Sequence, residues 1–253
     1  DVIWSVSGAV SVKTSIDENG LLSVGADETL DGVLTVRATL ALDDSVYGEC
    51  AVTVIAGLEE VLEALQDITP GSEDTLTVDG LEFYVLAKDE ENNRALLWTK
   101  LSVHMNAYSS YVTSNWKTCS GRTWLNETWL AQYPTLRNAA ISTEITTRDG
   151  FKSTTFDTTT DRVFPLSEAD LFGTYNYREE ALAQDYTYNG ILPTTQEMRS
   201  NPAGTTYALR TPMYDINYVA VVRAAGTFDA GAAVVESSVV RPALWIPLHM
   251  END

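Results

Sequence analysis

The chain has 253 residues, of which 44% are hydrophobic, and carries a formal net charge of −20 with an isoelectric point near 4.3. This length and apolar content predict a globular protein with one large domain or two ordinary ones. The negative charge repels nucleic-acid phosphates and anionic lipid head groups, and no basic patch in the sequence compensates for it. Binding to nucleic acids or to membrane surfaces is therefore not expected.

Membrane insertion is not expected either, because the sequence has no run of about 18 apolar residues and no basic-then-apolar signal region at its start. The two cysteines, Cys50 and Cys119, are far apart in the sequence. One disulfide is compatible with them, but spacing alone does not imply it. Free thiols are the favoured prediction, and the redox compartment stays open.

Residues 2 to 55 alternate apolar and polar types in short segments, which are separated by turn residues such as Asp31-Gly32. The predicted strands are Ile3–Val6, Ser11–Val12, Leu21–Val24, Val33–Thr39 and Ala51–Ile55. Short strands with turn signals at this spacing predict a small antiparallel sandwich over residues 1–56.

The order of four segments in this region carries a family resemblance. The segments are Trp4-Ser5-Val6-Ser7-Gly8, Ile16 to Gly25, Leu34 to Thr39 and a closing strand from Gly48 to Val54. In this order they resemble the bacterial immunoglobulin-like domains of group 2. The resemblance implies an all-β immunoglobulin-like sandwich that serves as a spacer or presentation stalk in bacterial surface proteins or phage structural proteins.

The hydrophobic period changes after this region. Leu58, Val61, Leu62 and Leu65 follow helical spacing, and Pro70-Gly71 ends the pattern. The sequence therefore predicts a short amphipathic helix over residues 57–69, which acts as a semi-rigid joint because it lacks the Gly and Ser content of a flexible linker.

A second β pattern begins near residue 75 and continues into mixed α and β segments. The predicted strands are Thr75–Val78, Leu81–Ala87, Arg94–Trp98 and Thr158–Leu166, and the predicted helices are Cys119–Gln132 and Ser167–Phe172. The longer helix has Ser120 as a candidate N-cap and Trp124, Leu125, Thr128 and Trp129 on one face. Residues 173–200 are expected to be irregular and are rich in tyrosine.

Four motifs in the second region occur in an order known from a bacterial and phage domain of unassigned function. They are Asn115 to Asn126, Thr160 to Ser167, Tyr207-Ala208-Leu209-Arg210-Thr211-Pro212 and Val240 to Ile246. That domain is similar to the C-type lectin fold in the version used by the formylglycine-generating enzyme. The resemblance covers about residues 70 to 250 and implies an α+β C-type lectin-like domain over residues 70–253. Related folds serve as variable, ligand-binding proteins of diversity-generating retroelements, in which the C-terminal segment varies.

The residues needed for metal or nucleophilic chemistry are not found in a usable arrangement. The only histidines, His104 and His249, have no second His or Cys at ligand spacing, and no EF-hand spacing is present. The formylglycine-generating enzymes use a pair of cysteines in their C-terminal half, whereas this chain has none after Cys119. We therefore predict no catalytic residue, no metal and no cofactor.

Aromatic and amide side chains indicate a recognition surface instead. Tyrosine offers contact area at a low entropic cost, and it is used in this way at binding surfaces. For the tract from Tyr175 to Tyr188, packing within the domain and ligand contact are equally good interpretations. Near the C-terminus a buried strand at Val219 to Val222 would leave its ends and turns free. The predicted ligand-binding residues there are Tyr214, Asp215, Asn217, Tyr218, Arg223, Thr227, Asp229 and Glu236.

Two motifs are interpreted as structural or incidental. Arg241-Pro242 followed by an apolar run is suited to closing a sheet, with Arg241 paired to a carboxylate or to backbone carbonyls. Asn126-Glu127-Thr128 fits a glycosylation acceptor but lies in a predicted helix of a bacterial type of protein.

The predicted function is non-enzymatic ligand binding or adhesion on a bacterial cell or phage surface, with a protein or glycan ligand. In its sharper form the chain is the variable protein of a diversity-generating retroelement, with its variable surface between residues 211 and 239. Two alternatives stay open. One is an enzyme acting on glycans or peptidoglycan through paired carboxylates, and the other is a purely structural component of a phage or surface layer.

Overall fold

The computed structural model describes residues 2–25, 28, 33–54, 57–105, 113–214, 217–233 and 239–250. The chain is mostly β-sheet, arranged in several small sheets with short helices between them. It divides into two compact units, Asp1–Gly57 and Leu58–Asp253. Each unit is described separately below.

The first unit contains a three-stranded and a two-stranded antiparallel sheet. Its strands are β1 (Val2–Ser7), β2 (Ser15–Ile16), β3 (Leu22–Ser23), β4 (Val33–Leu40) and β5 (Asp43–Thr53). The larger sheet has the order β1-β4-β5, and β2 pairs with β3. Only a few of its described side chains, including Leu34 and Val54, are buried.

The predicted strand at Ser11–Val12 is wrong, because this segment forms a turn. The buried carboxylate of Glu28 accepts hydrogen bonds from the backbone N–H groups of Val10 at 2.7 Å and Ser11 at 3.2 Å. Its other contact is the Thr14 hydroxyl, which donates at 2.6 Å. The Glu28 side chain therefore occupies backbone N–H groups that would otherwise pair with a neighbouring strand.

The second unit contains the remaining helices and strands. Its helices are α1 (Leu58–Asp67), α2 (Ser120–Thr123), α3 (Pro134–Ala139), α4 (Glu168–Phe172) and α5 (Gln196–Arg199). Its strands are β6 (Thr75–Val78), β7 (Leu81–Asp89), β8 (Arg94–Thr99), β9 (Val103–His104), β10 (Thr143–Arg148), β11 (Phe156–Asp161), β12 (Phe164–Pro165), β13 (Thr174–Tyr175), β14 (Glu179–Glu180), β15 (Tyr207–Met213), β16 (Tyr218–Val222), β17 (Phe228–Ala233), β18 (Val239–Val240) and β19 (Pro242–Pro247).

Two five-stranded sheets form the centre of the second unit. Their strand orders are β12-β19-β8-β7-β6 and β17-β16-β15-β18-β9. Both β15 and β19 are buried on both faces, since only Pro247 of their residues is partly exposed. Two short hairpins, β10-β11 and β13-β14, stand beside these sheets. The late segment that includes Arg241 is thus part of the structural core.

The predicted amphipathic helix corresponds to α1. Its Val61, Leu62 and Leu65 are buried in the same core as Leu76 of β6. The helix is part of the second unit, which begins at Leu58.

The predicted helix from Cys119 to Gln132 is interrupted by a change of helix type. An α-helical turn over Ser120–Thr123 continues as a π-helix over Trp124–Trp129 and a 3-10 turn over Leu130–Gln132. Cys119, not Ser120, occupies the N-cap position. The wider π turn shifts the buried face to Leu125, Trp129 and Leu130, so that Thr128 is exposed.

Asn126 of this π-helix explains why the predicted strand Thr158–Leu166 is broken into β11 and β12. Its Oδ1 accepts hydrogen bonds from the backbone N–H groups of Arg162 at 2.8 Å and Val163 at 3.1 Å. Its Nδ2 donates to the carbonyl oxygens of Arg122 and Val163. The Asn126 amide is therefore committed to holding the break between the two strands.

Both cysteines are free thiols, with Cys50 exposed and Cys119 buried. Burial raises the pKa of the Cys119 thiol to about 12. Because the thiolate is the reactive form, Cys119 is a packing residue and not a nucleophile at neutral pH.

Arg241 is buried in a cage of aromatic rings and carbonyl oxygens. Its guanidinium carbon lies 3.5 Å from the ring centroid of Trp98 and 5.2 Å from that of Tyr207. Its Nε donates to the Thr99 carbonyl at 2.8 Å and its Nη1 to the Met198 carbonyl at 2.7 Å. Of the two partner types expected from the sequence, the structure uses carbonyls. Arg241 thereby ties β8 to α5.

Replacement of Arg241 by methionine should destabilise the second unit by about 3 kcal/mol, because the carbonyl oxygens of Thr99 and Met198 lose their donor while staying buried. Urea unfolding followed by tryptophan fluorescence measures this change. The matched control is Lys117→Met, which removes an exposed ion pair with Asp157 and should cost less than about 1 kcal/mol. Equal losses in the two variants would contradict a structural role for the Arg241 cage.

Candidate functional site

The candidate site is built on a buried ion pair between Arg210 and Asp170. Nη1 of Arg210 donates to Oδ2 of Asp170 at 2.9 Å, and both side chains are almost completely buried. Asp170 also forms a capping box with Ser167 at the start of α4. Its carboxylate further accepts the N–H and the hydroxyl hydrogen bonds of Thr187. One carboxylate therefore fixes β15, α4 and the loop at Thr187 to each other.

A second buried ion pair joins the hairpin β10-β11 to this arrangement. Arg148 donates to both carboxylate oxygens of Asp185, at 2.8 and 3.1 Å, and its guanidinium lies 3.7 Å from the Tyr175 ring centroid. The Ser167 hydroxyl donates to the Asp185 carbonyl at 2.8 Å, and Nη2 of Arg210 donates to the same carbonyl at 3.3 Å. The two ion pairs are thus parts of one polar network.

Three turns supported by this network surround a cleft of about 510 Å³. The first is the loop of the β10-β11 hairpin, which contributes Phe151 and Lys152. The second is the β13-β14 turn, which contributes residues 176–179, and the third is the end of β15, which contributes Met213 and Tyr214. The Tyr175 hydroxyl donates to the Gly150 carbonyl at 2.9 Å and so connects the first two turns. Burial raises the pKa of Tyr175 to about 12, so this donor keeps its proton.

The backbone around the cleft is strained. Lys152, Asn176, Tyr177 and Tyr214 have φ angles of 56°, 53°, 68° and 52°, and they are four of the six non-glycine residues with positive φ in the described part of the chain. Asparagine tolerates this conformation, but it costs tyrosine or lysine on the order of 1–3 kcal/mol. Concentration of such strain at one cleft is typical of a functional site.

Glu168 holds one of the strained turns in place. Its Oε1 accepts the backbone N–H of Tyr177 at 2.5 Å and the Thr174 hydroxyl at 2.6 Å. The Glu168 backbone N–H in turn donates to the Thr211 hydroxyl at 2.8 Å. Burial raises the pKa of the Glu168 carboxyl, and this effect outweighs the hydrogen bonds that lower it. Glu168 lies behind the wall of the cleft and acts as a positioning residue.

Aromatic rings form two separate contacts at the cleft. The Tyr177 ring is stacked on Phe228, with centroids 5.3 Å apart and an interplanar angle of 9°. The Tyr214 ring lies 6.1 Å from Phe151 and 6.1 Å from Tyr218. Tyr177 is 56% exposed and Tyr214 is 53% exposed despite these contacts. Each of the two rings therefore packs against other aromatic rings and is still partly open to solvent.

Two cations complete the described lining. Nζ of Lys152 lies 5.3 Å from the Phe151 ring centroid, and the Arg178 guanidinium lies 5.9 Å from that of Tyr177. The only carboxylate among the described lining residues is that of Glu179. The described residues also contain no group of three His, Cys, Asp or Glu side chains that could hold a metal ion.

The sequence-predicted ligand-binding residues fall into two groups. Tyr214 and Asn217 lie between β15 and β16, and Tyr218 is the first residue of β16; of these three, Tyr214 lines the cleft. Arg223 and Thr227 lie in the turn between β16 and β17, at the opposite end of β16.

Asp229 lies in β17 close to this second turn, and the Arg223 guanidinium donates to its carboxylate at 2.8 Å. Asp215 and Glu236 lie outside the described residues. The interior of β16, Val219 to Val222, is buried, so only its ends and turns are available to a ligand.

Sequence reasoning missed the contribution of two other turns. Phe151, Lys152, Arg178 and Glu179 line the cleft although they are 35 or more positions before Tyr214 in the sequence. For the tract from Tyr175 to Tyr188, the sequence leaves packing within the domain and ligand contact both open. Tyr175 is buried, which fits packing, whereas Tyr177 is exposed and stays available for contact. No periodicity in the sequence identifies these contacts, because they depend on which hairpin turns the buried ion pairs bring together.

The ionisation of Glu168 predicts a pH-dependent stability. Because its pKa is raised in the folded state, the ionised carboxyl opposes folding above that pKa, and the opposition disappears as the pH falls below the ordinary value of 4.5. Glu168→Gln keeps an acceptor oxygen and cannot ionise. It should be at least as stable as the parent chain near pH 8, and its advantage should shrink towards pH 4 in denaturant unfolding.

Asp89→Asn is the matched control for this titration. Against the effect of burial, hydrogen bonds from Arg94 and Asn92 lower the pKa of Asp89, so its carboxylate stabilises the fold at neutral pH. This variant should lose stability near pH 8, and the loss should decrease as the pH falls. If Glu168→Gln instead loses stability near pH 8, and this loss decreases as the pH falls in the same way as for Asp89→Asn, Glu168 acts as an ionised acceptor.

Comparison with known proteins gives a family but no characterised relative. A family model described as a domain of unknown function, DUF6273, matches residues 92–248, which is more than half of the chain and includes every described residue that lines the cleft. No curated protein and no solved structure matches the chain. Within the described residues, no helix has the length and apolar character needed to cross a membrane.

Proposed function

The chain belongs to the DUF6273 family, and since that family has no assigned function, we propose from the site alone that the protein is a non-enzymatic ligand-binding or adhesion protein. The cleft between the three turns is its binding surface. The first unit is an immunoglobulin-like spacer, and the second is a C-type lectin-like domain that presents the cleft. The protein is displayed on a bacterial cell or phage surface.

The observation that carries this proposal is the combination of strained backbone with exposed, supported tyrosines at one cleft. Tyr177 and Tyr214 adopt a costly left-handed conformation and still leave more than half of their side-chain surface in water. Packing inside the domain gives no reason to keep a strained, exposed ring. A ligand that covers the rings gives one, because it gains rigid contact area at a low entropic cost.

The lining favours binding over catalysis. Acid–base catalysis by paired carboxylates needs two carboxyl groups directed at one substrate. The described lining offers Glu179 alone, and Glu168 is fully buried behind the wall. The aromatic and cationic composition of the cleft lining resembles that of recognition surfaces, in which Tyr and Arg are enriched.

Loss of one cleft tyrosine should weaken binding without affecting the fold. Tyr214→Ala removes an exposed ring from the cleft, so that binding to a captured ligand or to target cells should fall at least tenfold, whereas the melting temperature should change by no more than a few degrees. Tyr47→Ala is the matched control, because Tyr47 is 52% exposed in the first unit. A large drop in the melting temperature for Tyr214→Ala would instead assign the ring to the core.

The sharper form of the proposal is that the cleft is diversified by a retroelement between residues 211 and 239. The described residues support a narrower version. Thr211 to Met213 and Val219 to Val222 are buried, so that changes there would disturb the core. Diversified positions should therefore concentrate in the two turns at the ends of β16, at Tyr214, Asn217, Tyr218, Arg223 and Thr227.

Sequencing of the encoding DNA from closely related strains tests this version. We expect substitutions in the codons of the two β16 turns, few in those of the buried residues, and a nearby adenine-rich template copy of the segment. Synonymous positions across the rest of the coding sequence serve as the internal control. Substitutions scattered evenly along the chain, with no template copy, would contradict diversification. The ligand-binding proposal would then be tested by the binding of the cleft variants alone.

A further inference from the structure

We infer that the ligand of the cleft is an acidic sugar, which stacks a ring face on the tyrosines and directs a carboxylate or sulfate to Lys152 and Arg178. This inference rests on the proposed ligand-binding function and specifies the chemistry of the ligand.

The charge balance of the chain favours an anionic ligand at the cleft. The chain has 36 acidic and 16 basic residues, so carboxylates are available to pair with most cations. Many of the cations are paired in this way, as in the salt bridges of Arg94, Lys100 and Lys117. Lys152 and Arg178 form no salt bridge with a carboxylate of any described residue, and both are exposed at the cleft.

Two cations that stay unpaired in so acidic a chain are available to an anion from outside. An anion that reaches them exchanges water for charge-assisted hydrogen bonds, which are about twice as strong as neutral ones. The negative charge of the remaining surface repels the same anion elsewhere, and the cleft is thus the favoured place for it.

The aromatic surface of the cleft suits a sugar ring. The Tyr177 ring has one face covered by Phe228, and the Tyr214 ring is fixed between Phe151 and Tyr218. Fixed rings with open surface suit the flat C–H face of a sugar ring, whose hydroxyl groups point sideways to polar partners. Glu179 lines the same cleft, is exposed and supplies such a partner.

The volume of the cleft favours a small ligand. A concave volume of about 510 Å³ falls within the range of roughly 300–1,000 Å³ that is typical of small-molecule sites. A stable protein partner would instead require a surface of about 800 Å² on each side. One or a few sugar units match the cleft better than a folded protein does.

The test measures binding of the full chain to an array of oligosaccharides that carry hexuronate, sialic acid or sulfate, each printed beside its neutral counterpart. Acidic members should bind, and their neutral counterparts should bind at least tenfold more weakly. Titration calorimetry of the best acidic oligosaccharide then compares the parent chain with Lys152→Ala/Arg178→Ala. The double variant should raise Kd at least tenfold and reduce its dependence on salt.

Arg137→Ala is the matched control, because it also removes an exposed cation of the second unit but lies outside the described cleft lining. Its Kd should stay within twofold of the parent value. Thermal unfolding shows that each variant is folded, which is expected because Lys152 and Arg178 are exposed.

Four results would overturn the inference. Equal affinity for neutral and acidic sugars, or an unchanged Kd in the double variant, would reject the acidic sugar while leaving ligand binding in place. Binding of an Asp- and Glu-rich synthetic peptide in place of any sugar, with the same dependence on Lys152 and Arg178, would replace it with a protein ligand. No binding to sugars, to the peptide or to intact cells would reject both this inference and the proposed function.

Discussion

Folding of the second unit requires four charged side chains to leave water together, Arg210 with Asp170 and Arg148 with Asp185. Removal of one partner from such a buried pair typically costs about 3–5 kcal/mol, because the other charge stays buried without compensation. Both partners of each pair must therefore be buried together. The carboxylates are further stabilised by hydrogen bonds, which Thr187 donates to Asp170 and Leu182 donates to Asp185. Chain segments that are far apart in the sequence are held at one place by this requirement, and the three turns of the cleft are attached to these segments.

The strain at the cleft is a consequence of that rigidity. A turn held at one end only would relax until its tyrosine adopted an ordinary backbone conformation. The β13-β14 turn cannot relax in this way, because Glu168 accepts the Tyr177 N–H on one side and the Tyr175 hydroxyl is bonded to Gly150 on the other. The surrounding network over-determines the position of the turn, which is the condition under which strained residues persist in folded proteins. The exposed rings are accordingly preorganised, and a ligand meets a surface that has little conformational entropy left to lose.

Local elements were predictable from the sequence, whereas the cleft was not. The α1 helix, the capped helix after Ser167 and the buried strand around Val219 to Val222 each follow from periodicity or capping within a few residues. The errors arose where a side chain competes with the backbone pattern. Glu28 removes the backbone donors of a predicted strand, and Asn126 interrupts another. Half of the described lining residues of the cleft depend on contacts between distant hairpins, and a local pattern carries no information about these contacts; they are Phe151, Lys152, Arg178 and Glu179.

The arginines of the second unit show how the chain separates stability from recognition. Arg241 donates to carbonyl oxygens inside an aromatic cage, and Arg210 donates to a carboxylate; because both side chains are buried, neither can reach a ligand. Among the described residues, the Arg178 guanidinium contacts an aromatic ring at 5.9 Å, which orients a cation without neutralising it. A guanidinium in this state keeps its planar donors open to an anion that presents two oxygens side by side. The difference between the core arginines and the cleft arginine is thus one of partners rather than of residue type, and under the proposed function the exposed turns bind the ligand while the buried ion pairs stabilise the core.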